Sequence, residues 1–157
     1  MIVRRLAVDE WKITRQIRLD ALRGSPQGTF ATTYDIAAEW TDEQWRDWHR
    51  GRELFVAELD RSPVGCAGLL IQEGLPVLVS MWVNPVARGT GASDHLIDAV
   101  IARARETGHR ELRLWVLKDN RHAEKLYERK GFVFTGRDQP SRMNNPRRER
   151  EMIIGVA

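Results

Sequence analysis

The feature that most constrains this chain lies between residues 77 and 104. A very apolar run (Val77, Leu78, Val79, Met81, Trp82, Val83) meets the stretch "NPVARGTGASDHL" (84–96), which leads into apolar residues at helical spacing. The run reads as a buried strand, and Leu96, Ile97, Val100, Ile101 and Ala104 read as the packed face of a helix. Arg88, Gly89 and Gly91 stand between the two. Glycine reaches backbone conformations closed to other residues and lets a ligand approach the main chain. A strand, a glycine turn and a helix N-terminus are the usual construction for holding a phosphate on free backbone N–H groups. The free end of this helix is therefore where chemistry is expected.

The flanking sequence alternates in the same way. Residues 2 to 8 read as a short strand, after which Asp9 caps a helix carrying Trp11, Ile13, Ile17 and Leu22 to about Arg23. The segment "GSPQGTFATTY" (24–34) is turn-rich, and Thr41 with Gln44 forms a capping box for a helix to about Arg50. "ELFVAEL" and "VGCAGLLI" flank the turn "DRSP" as a hairpin. The strand ending at Val83 follows, then a helix from about Gly91 to Thr107, the strand "ELRLWVL" (111–117) and a helix from about Asn120 to Lys130, which Gly131 stops. "FVFTG" and "EREMIIGV" close the chain as two strands joined by a basic loop. The order predicts a mixed sheet with helices packed on it. No repeat or linker interrupts it, so residues 1–157 are expected to form one domain.

Composition narrows the function. With 42% apolar and 30% charged residues, and no apolar run long enough to cross a bilayer, the chain reads as soluble and non-membrane. "MIVRRLAVDEWK" lacks the apolar segment of a secretory signal, so a cytoplasmic location is expected. Cys66 is the sole cysteine, which excludes an internal disulfide and argues against structural zinc. His49, His95, His109 and His122 show no metal-ligand spacing and read as surface residues, so no metal is expected. The net charge of +3 is concentrated in segment 137–150, which holds Arg137, Arg142, Arg147, Arg148 and Arg150. That loop reads as solvated. A nucleic-acid module is disfavoured because its arginines lack interleaved aromatics.

Which phosphate the glycine turn holds can be argued from motifs. A Walker loop requires a lysine after the glycines, and none is present. The dinucleotide fingerprint fits Gly89 and Gly91 but meets Asp94 where a small residue is needed. "R88-G-T-G91-A-S" resembles the R/Q-x-x-G-x-G/A pyrophosphate loop of the GNAT superfamily of acetyl-CoA-dependent N-acetyltransferases, departing from it at Ser93. "V116-LKD-N120-RH-A123-EK-L126-Y127-ERK-G131-F132" is similar to the second block of that family, V-x-x-x-N-x-x-A-x-x-L-Y-x-x-x-G-F, at every named position.

The resemblance implies a GNAT fold, α/β (α+β), with a mixed, mostly antiparallel central sheet of about seven strands flanked by about four helices. It implies that Arg88, Gly89, Thr90, Gly91, Ala92 and Ser93 hold the pyrophosphate of acetyl-CoA, and that Asn120, Ala123 and Tyr127 contact the cofactor. It implies further that the strand ending near Val83 splays from the strand beginning near Leu112, leaving backbone at Trp82 and Val83 for the pantetheine arm, with both side chains in the core. Tyr127 would give the leaving thiolate its proton, since a phenol of pKa about 10 stays protonated where a thiol of about 8.5 ionises. Asp94 is expected to point away from the phosphate. Many relatives carry a glutamate on the strand before the loop, but Leu75 to Val83 holds no carboxylate. The base is therefore unassigned, with Asp35, Glu39 and Glu73 as candidates. The acceptor amine would be bordered by Phe30 to Trp48, where the aromatics read mainly as packing, and by Arg137 to Arg150. A non-catalytic acyl-CoA sensor on the same fold is the alternative, and a homodimer is left open.

Overall fold

The computed structural model describes every residue except 27, 28, 31 and 142–146. Its order is β1 (Ile2–Arg5), α1 (Trp11–Gly24), α2 (Tyr34–Ala38), α3 (Asp42–Arg50), β2 (Glu53–Leu59), β3 (Ser62–Gln72), β4 (Leu75–Val83), a 3-10 turn (Pro85–Ala87), α4 (Ala92–Glu106), β5 (Glu111–Leu117), α5 (Arg121–Arg129), β6 (Val133–Pro140) and β7 (Arg148–Gly155). The strands form one sheet in the order β1-β2-β3-β4-β5-β7-β6. Every neighbouring pair is antiparallel except β4 and β5, which run parallel.

Alternation along the strands sorts side chains to two faces. Phe55, Ala57, Leu69, Leu78, Leu112, Leu114 and Met152 pack against Leu96, Ile97, Val100 and Ala104 of α4. Those four α4 residues are wholly buried, and sealing each of the three larger side chains, Leu96, Ile97 and Val100, is worth roughly 1.5–3 kcal/mol. On the other face Leu54, Val56 and Cys66 meet Leu6 and Ile17, and Trp82 packs against them. Trp11, Ala37 and Trp45 form a third cluster where α1, α2 and α3 meet. Trp45 is 1% exposed and lies 4.7 Å from Trp40, so these aromatics are packing, as the sequence implied.

Local signals account for most boundaries. Thr41 Oγ1 accepts from the Gln44 N–H and the Gln44 side chain accepts from the Thr41 N–H, completing the capping box. Asp60 and Arg61 both take left-handed φ, the requirement of a two-residue hairpin turn between β2 and β3. Three expectations are corrected. Asp9 does not cap α1; Glu10 holds the N-cap position without a side-chain cap bond, because its carboxylate accepts from Ala7 N–H and both Nη atoms of Arg4. His49 is buried, not on the surface. Its Nε2 donates to the Ala7 carbonyl at 2.8 Å and its Nδ1 lies 2.7 Å from Thr14 Oγ1, so the ring ties α3 to α1. The strands reach further into segment 137–150 than expected: β6 runs to Pro140 and so includes Arg137 and Asp138, and β7 begins at Arg148, one residue before the predicted strand "EREMIIGV", with Arg148 pairing with Asp138 across the ladder. Arg142 lies outside the described residues.

Candidate functional site

The site begins with a fault in β4. In the β3–β4 ladder, Cys66 faces Trp82 but Gly68 faces Val79, so Ala67 alone stands opposite both Ser80 and Met81. This is a β-bulge, which bends and over-twists the strand that carries the extra residue. Ser80 takes φ 58°, and its carbonyl accepts from Cys66 Sγ at 3.1 Å. On its other edge β4 meets β5 at a single pair, Val77 with Arg113. Beyond that pair the strands part. Between them opens a cleft of about 230 Å³, walled by Leu78 to Met81 on β4 and Leu114 to Leu117 on β5.

Helix α5 covers one end of this cleft with Asn120, Ala123 and Tyr127. Asn120 Oδ1 accepts from Ala123 N–H at 3.2 Å, so it caps α5 while it lines the cleft. Tyr127 packs edge-on against Phe132, with ring centroids 5.9 Å apart. Burial pushes its phenol up to about 12, so the proton is held throughout the neutral and alkaline range. The hydroxyl makes no hydrogen bond within the described residues, yet none of their buried side-chain N or O atoms lacks a partner. The hydroxyl therefore opens toward the cleft.

The glycine turn forms a separate feature at the start of α4. Gly89 and Gly91 take φ 79° and 81°, and Gly91 is the N-cap of α4, where no side chain caps the first turn. Arg88 is exposed, Thr90 donates to the Ala87 carbonyl, Ala92 is buried and Ser93 is half-buried. Asp94 is drawn aside as expected, since both its oxygens accept from Arg129 Nη2 at 2.9 and 3.1 Å. One turn further along, Lys130 meets Asp98 at 2.7 Å, so α5 and α4 are clamped twice.

Not every residue singled out from the sequence reaches the cleft. Trp82 and Val83 pair with Cys66 and Gly65 of β3 and send their side chains into the core; the β4 wall of the cleft is formed slightly earlier, at Leu78 to Met81. Glu73 sits exposed in the β3–β4 turn, before the Val77 pairing rather than after it, and Glu39 ends α2 at the surface. Asp35 borders a neighbouring pocket with Phe30 and Tyr34. The carboxylate that does line the cleft is Glu149, opposite Leu117 on β7, where it accepts from Gln139 Nε2 at 2.6 Å. It opens the predicted strand "EREMIIGV", but nothing local in the sequence shows that this end of the strand borders the cleft. Glu151 is 3% exposed and held by Thr135, Arg113 and Arg137. Arg150 covers Phe134 and meets Glu124, so several arginines of this segment already have partners. The described residues hold no group of three or more potential metal ligands and no helix long and apolar enough to cross a membrane.

This split sheet, glycine turn and α5 cover correspond to a known family. The chain matches the acetyltransferase (GNAT) family over residues 18–132 and belongs to it. Over 86 residues it is 31% identical to an uncharacterized N-acetyltransferase of Methanocaldococcus jannaschii, a match spanning 50% of this chain and 38% of that protein. The crystal structure of a GNAT-family acetyltransferase from Streptococcus pneumoniae superposes with a TM-score of 0.80 at 16% identity, covering 99% of both chains. The Salmonella typhimurium protein yncA, solved with its cofactor acetyl-CoA, gives 0.75 at 17% identity, covering 100% of this chain and 94% of that one. The seven-stranded mixed sheet is thus that of GNAT acetyltransferases, with five α-helices where about four were expected.

Proposed function

We propose that this chain is an N-acetyltransferase, working as one domain in the cytoplasm, that moves the acetyl group of acetyl-CoA to a primary amine while both substrates are bound. The observation that carries this reading is the cleft itself, an opened sheet with a phenol on one wall that has no hydrogen-bond partner among the described residues, and a carboxylate on another. The N–H groups of Arg88 to Ser93 and the positive end of α4 hold the pyrophosphate, and Arg88 adds a charged bond. The pantetheine amides pair with the β4 edge that β5 leaves open, continuing from there toward Trp82 and Val83. Asn120 and Ala123 border the arm, and the thioester lies below Tyr127.

The acceptor arrives as an ammonium ion and must lose one proton before its nitrogen lone pair can attack. Glu149 takes that proton through contact or one water. The nitrogen then forms a bond to the acetyl carbon, and the carbonyl oxygen gathers negative charge beside the main-chain N–H groups of the Ser80–Met81 bulge. As the tetrahedral adduct collapses, the nitrogen gives its second proton to solvent, the C–S bond breaks, an amide forms and the thiolate leaves. A phenol near 12 is a weaker acid than a thiol, so Tyr127 stabilises the departing sulfur chiefly as a hydrogen-bond donor, and CoA leaves as the thiol once solvent completes the transfer.

Thiol release from acetyl-CoA across a panel of primary amines, alongside thermal shift, tests the reading. Acetyl-CoA stabilises the fold and at least one amine releases thiol. Stabilisation without release under every amine would favour the sensor, and no stabilisation would remove the acetyl-CoA site.

A further inference from the structure

Behind Phe30, a wall of the cleft, lies a charge that the reaction above does not use. Arg18 on α1 is 8% exposed, and its guanidinium lies over the rings of Phe30 at 4.7 Å and Trp48 at 5.2 Å. Arg52 covers Trp48 at 3.8 Å. Among the described residues no carboxylate pairs with either arginine. A buried cation is ordinarily matched by an acid, because leaving water without a partner is costly. Here burial pulls the Arg18 pKa down, and burial together with the Arg18 charge brings Arg52 to about 10.

Within the described residues Arg18 also makes no hydrogen bond, while no buried side-chain nitrogen there lacks a partner. The little area it exposes must therefore include its guanidinium nitrogens. Phe30, under the guanidinium, is a wall of the cleft. The Arg18 charge is felt at Cys66, whose sulfur touches the Ser80 carbonyl in the bulge. Strand alternation puts Leu117 and Glu149 on the sheet face opposite α4, the face on which α1 packs. Arg18 and Glu149 thus serve the same side of the opened sheet.

We propose that Arg18, supported by Arg52, is the anchor for a carboxylate on the acceptor, so that the substrate class is a small amine bearing its own carboxylate. The inference rests on the acetyltransferase reading and deepens it. The acceptor's ammonium end faces Glu149 and Tyr127 while its carboxylate accepts from the Arg18 guanidinium beside Phe30. The pairing is charge-assisted and shielded from water, which makes it selective.

The test compares each of a set of free amino acids with its carboxamide and with the amine lacking the carboxylate, using the parent and Arg18→Gln. The parent prefers the acid roughly 10- to 100-fold in kcat/KM over its amide, the range expected for a charged hydrogen bond. Arg18→Gln erases that preference through acceptor KM, leaves the KM for acetyl-CoA unchanged, and Arg18→Lys restores part of it. Acetate, which cannot be acetylated on nitrogen, competes with the acid acceptor in the parent and not in Arg18→Gln. If Arg18→Gln does not fold, the acid-against-amide ratio and acetate competition in the parent decide alone. Equal use of acid and amide, or a variant that loses only thermal stability, makes Arg18 a packing residue and overturns the proposal while acetyl transfer stands. Thiol release from none of the acceptors in the panel overturns it as well, and stabilisation by acetyl-CoA then shows whether the donor site survives.

Discussion

The two edges of β4 have opposite fates. Toward β3 it pairs from Gln72–Leu75 to Gly65–Val83, interrupted only by the bulge, whereas toward β5 it pairs once. The same residues therefore face a filled ladder on one side and an opening on the other. A closed ladder satisfies its own N–H and C=O groups and contributes stability. An open one leaves donors and acceptors to be satisfied by water or by a ligand, which is the chemistry of strand addition. The contrast implies that substitutions on the β3 side damage the fold, and those on the β5 side damage binding and turnover.

The largest expected effect tests the open side. Tyr127→Phe loses about 10²-fold in kcat, the lower end for removing a hydrogen-bond donor to developing charge because a thiol leaves readily, while binding acetyl-CoA nearly as the parent does. Steady-state rates beside a binding isotherm check this; unchanged kcat would reduce Tyr127 to a core residue. Next, Gly91→Val removes most of the roughly 2.7 kcal/mol of stabilisation that acetyl-CoA confers at a hundredfold over its Kd. The glycine's φ of 81° suits no β-branched residue. The ligand-induced melting shift is the readout, whatever the change costs the free protein.

The closed side predicts the reverse pattern. A Cβ at Gly65 would stand 3.0 Å from the Trp82 carbonyl and 3.2 Å from Leu96, so Gly65→Ala lowers stability by about 1–3 kcal/mol. The melting shift caused by acetyl-CoA survives in the variant. Loss of that shift would mean that the two edges are not independent. The smallest effect concerns pH. Cys66 rises from 9.0 and Tyr127 from 10.0, each to about 12, because burial disfavours their anions. A pKa raised by folding stabilises below the unfolded value and fades as pH climbs through the folded one. Stability should therefore decline between about pH 9 and 12, with Tyr127→Phe flattening the decline only above pH 10. Alkaline melting curves that coincide for parent and variant would show that water reaches the phenol freely.

How much of this was legible depended on whether a feature is local. The capping box at Thr41, the cap at Asn120 and the glycine turn rest on residues a few positions apart, and the structure shows each. The divergence of β4 from β5 came from resemblance to a family, since no periodicity reveals which neighbouring strand a bulge turns away from. Glu149 opens the predicted strand "EREMIIGV", yet its place on the cleft depends on how β7 sits beside β5, which no local pattern encodes; cross-strand pairs such as Arg148 with Asp138 likewise extend the hairpin beyond its expected ends. His49 was missed because its partners, Thr14 and Ala7, are 35 and 42 positions away. Arg18 looked like one more surface charge on an amphipathic helix, and only the folded arrangement of Phe30, Trp48 and Arg52 encloses it.

The bulge also settles the fate of the protein's only thiol. A protein that releases CoA bathes its own reaction centre in a free sulfhydryl, and a neighbouring cysteine would invite mixed disulfides and acyl migration. Cys66 lies one hydrogen bond from the cleft wall, yet it is 3% exposed, donates its S–H to Ser80 and is held far from ionising. Thiol exchange requires a thiolate within reach, and neither condition is met. Under the proposed reaction, the chain is thereby protected from poisoning by its own product.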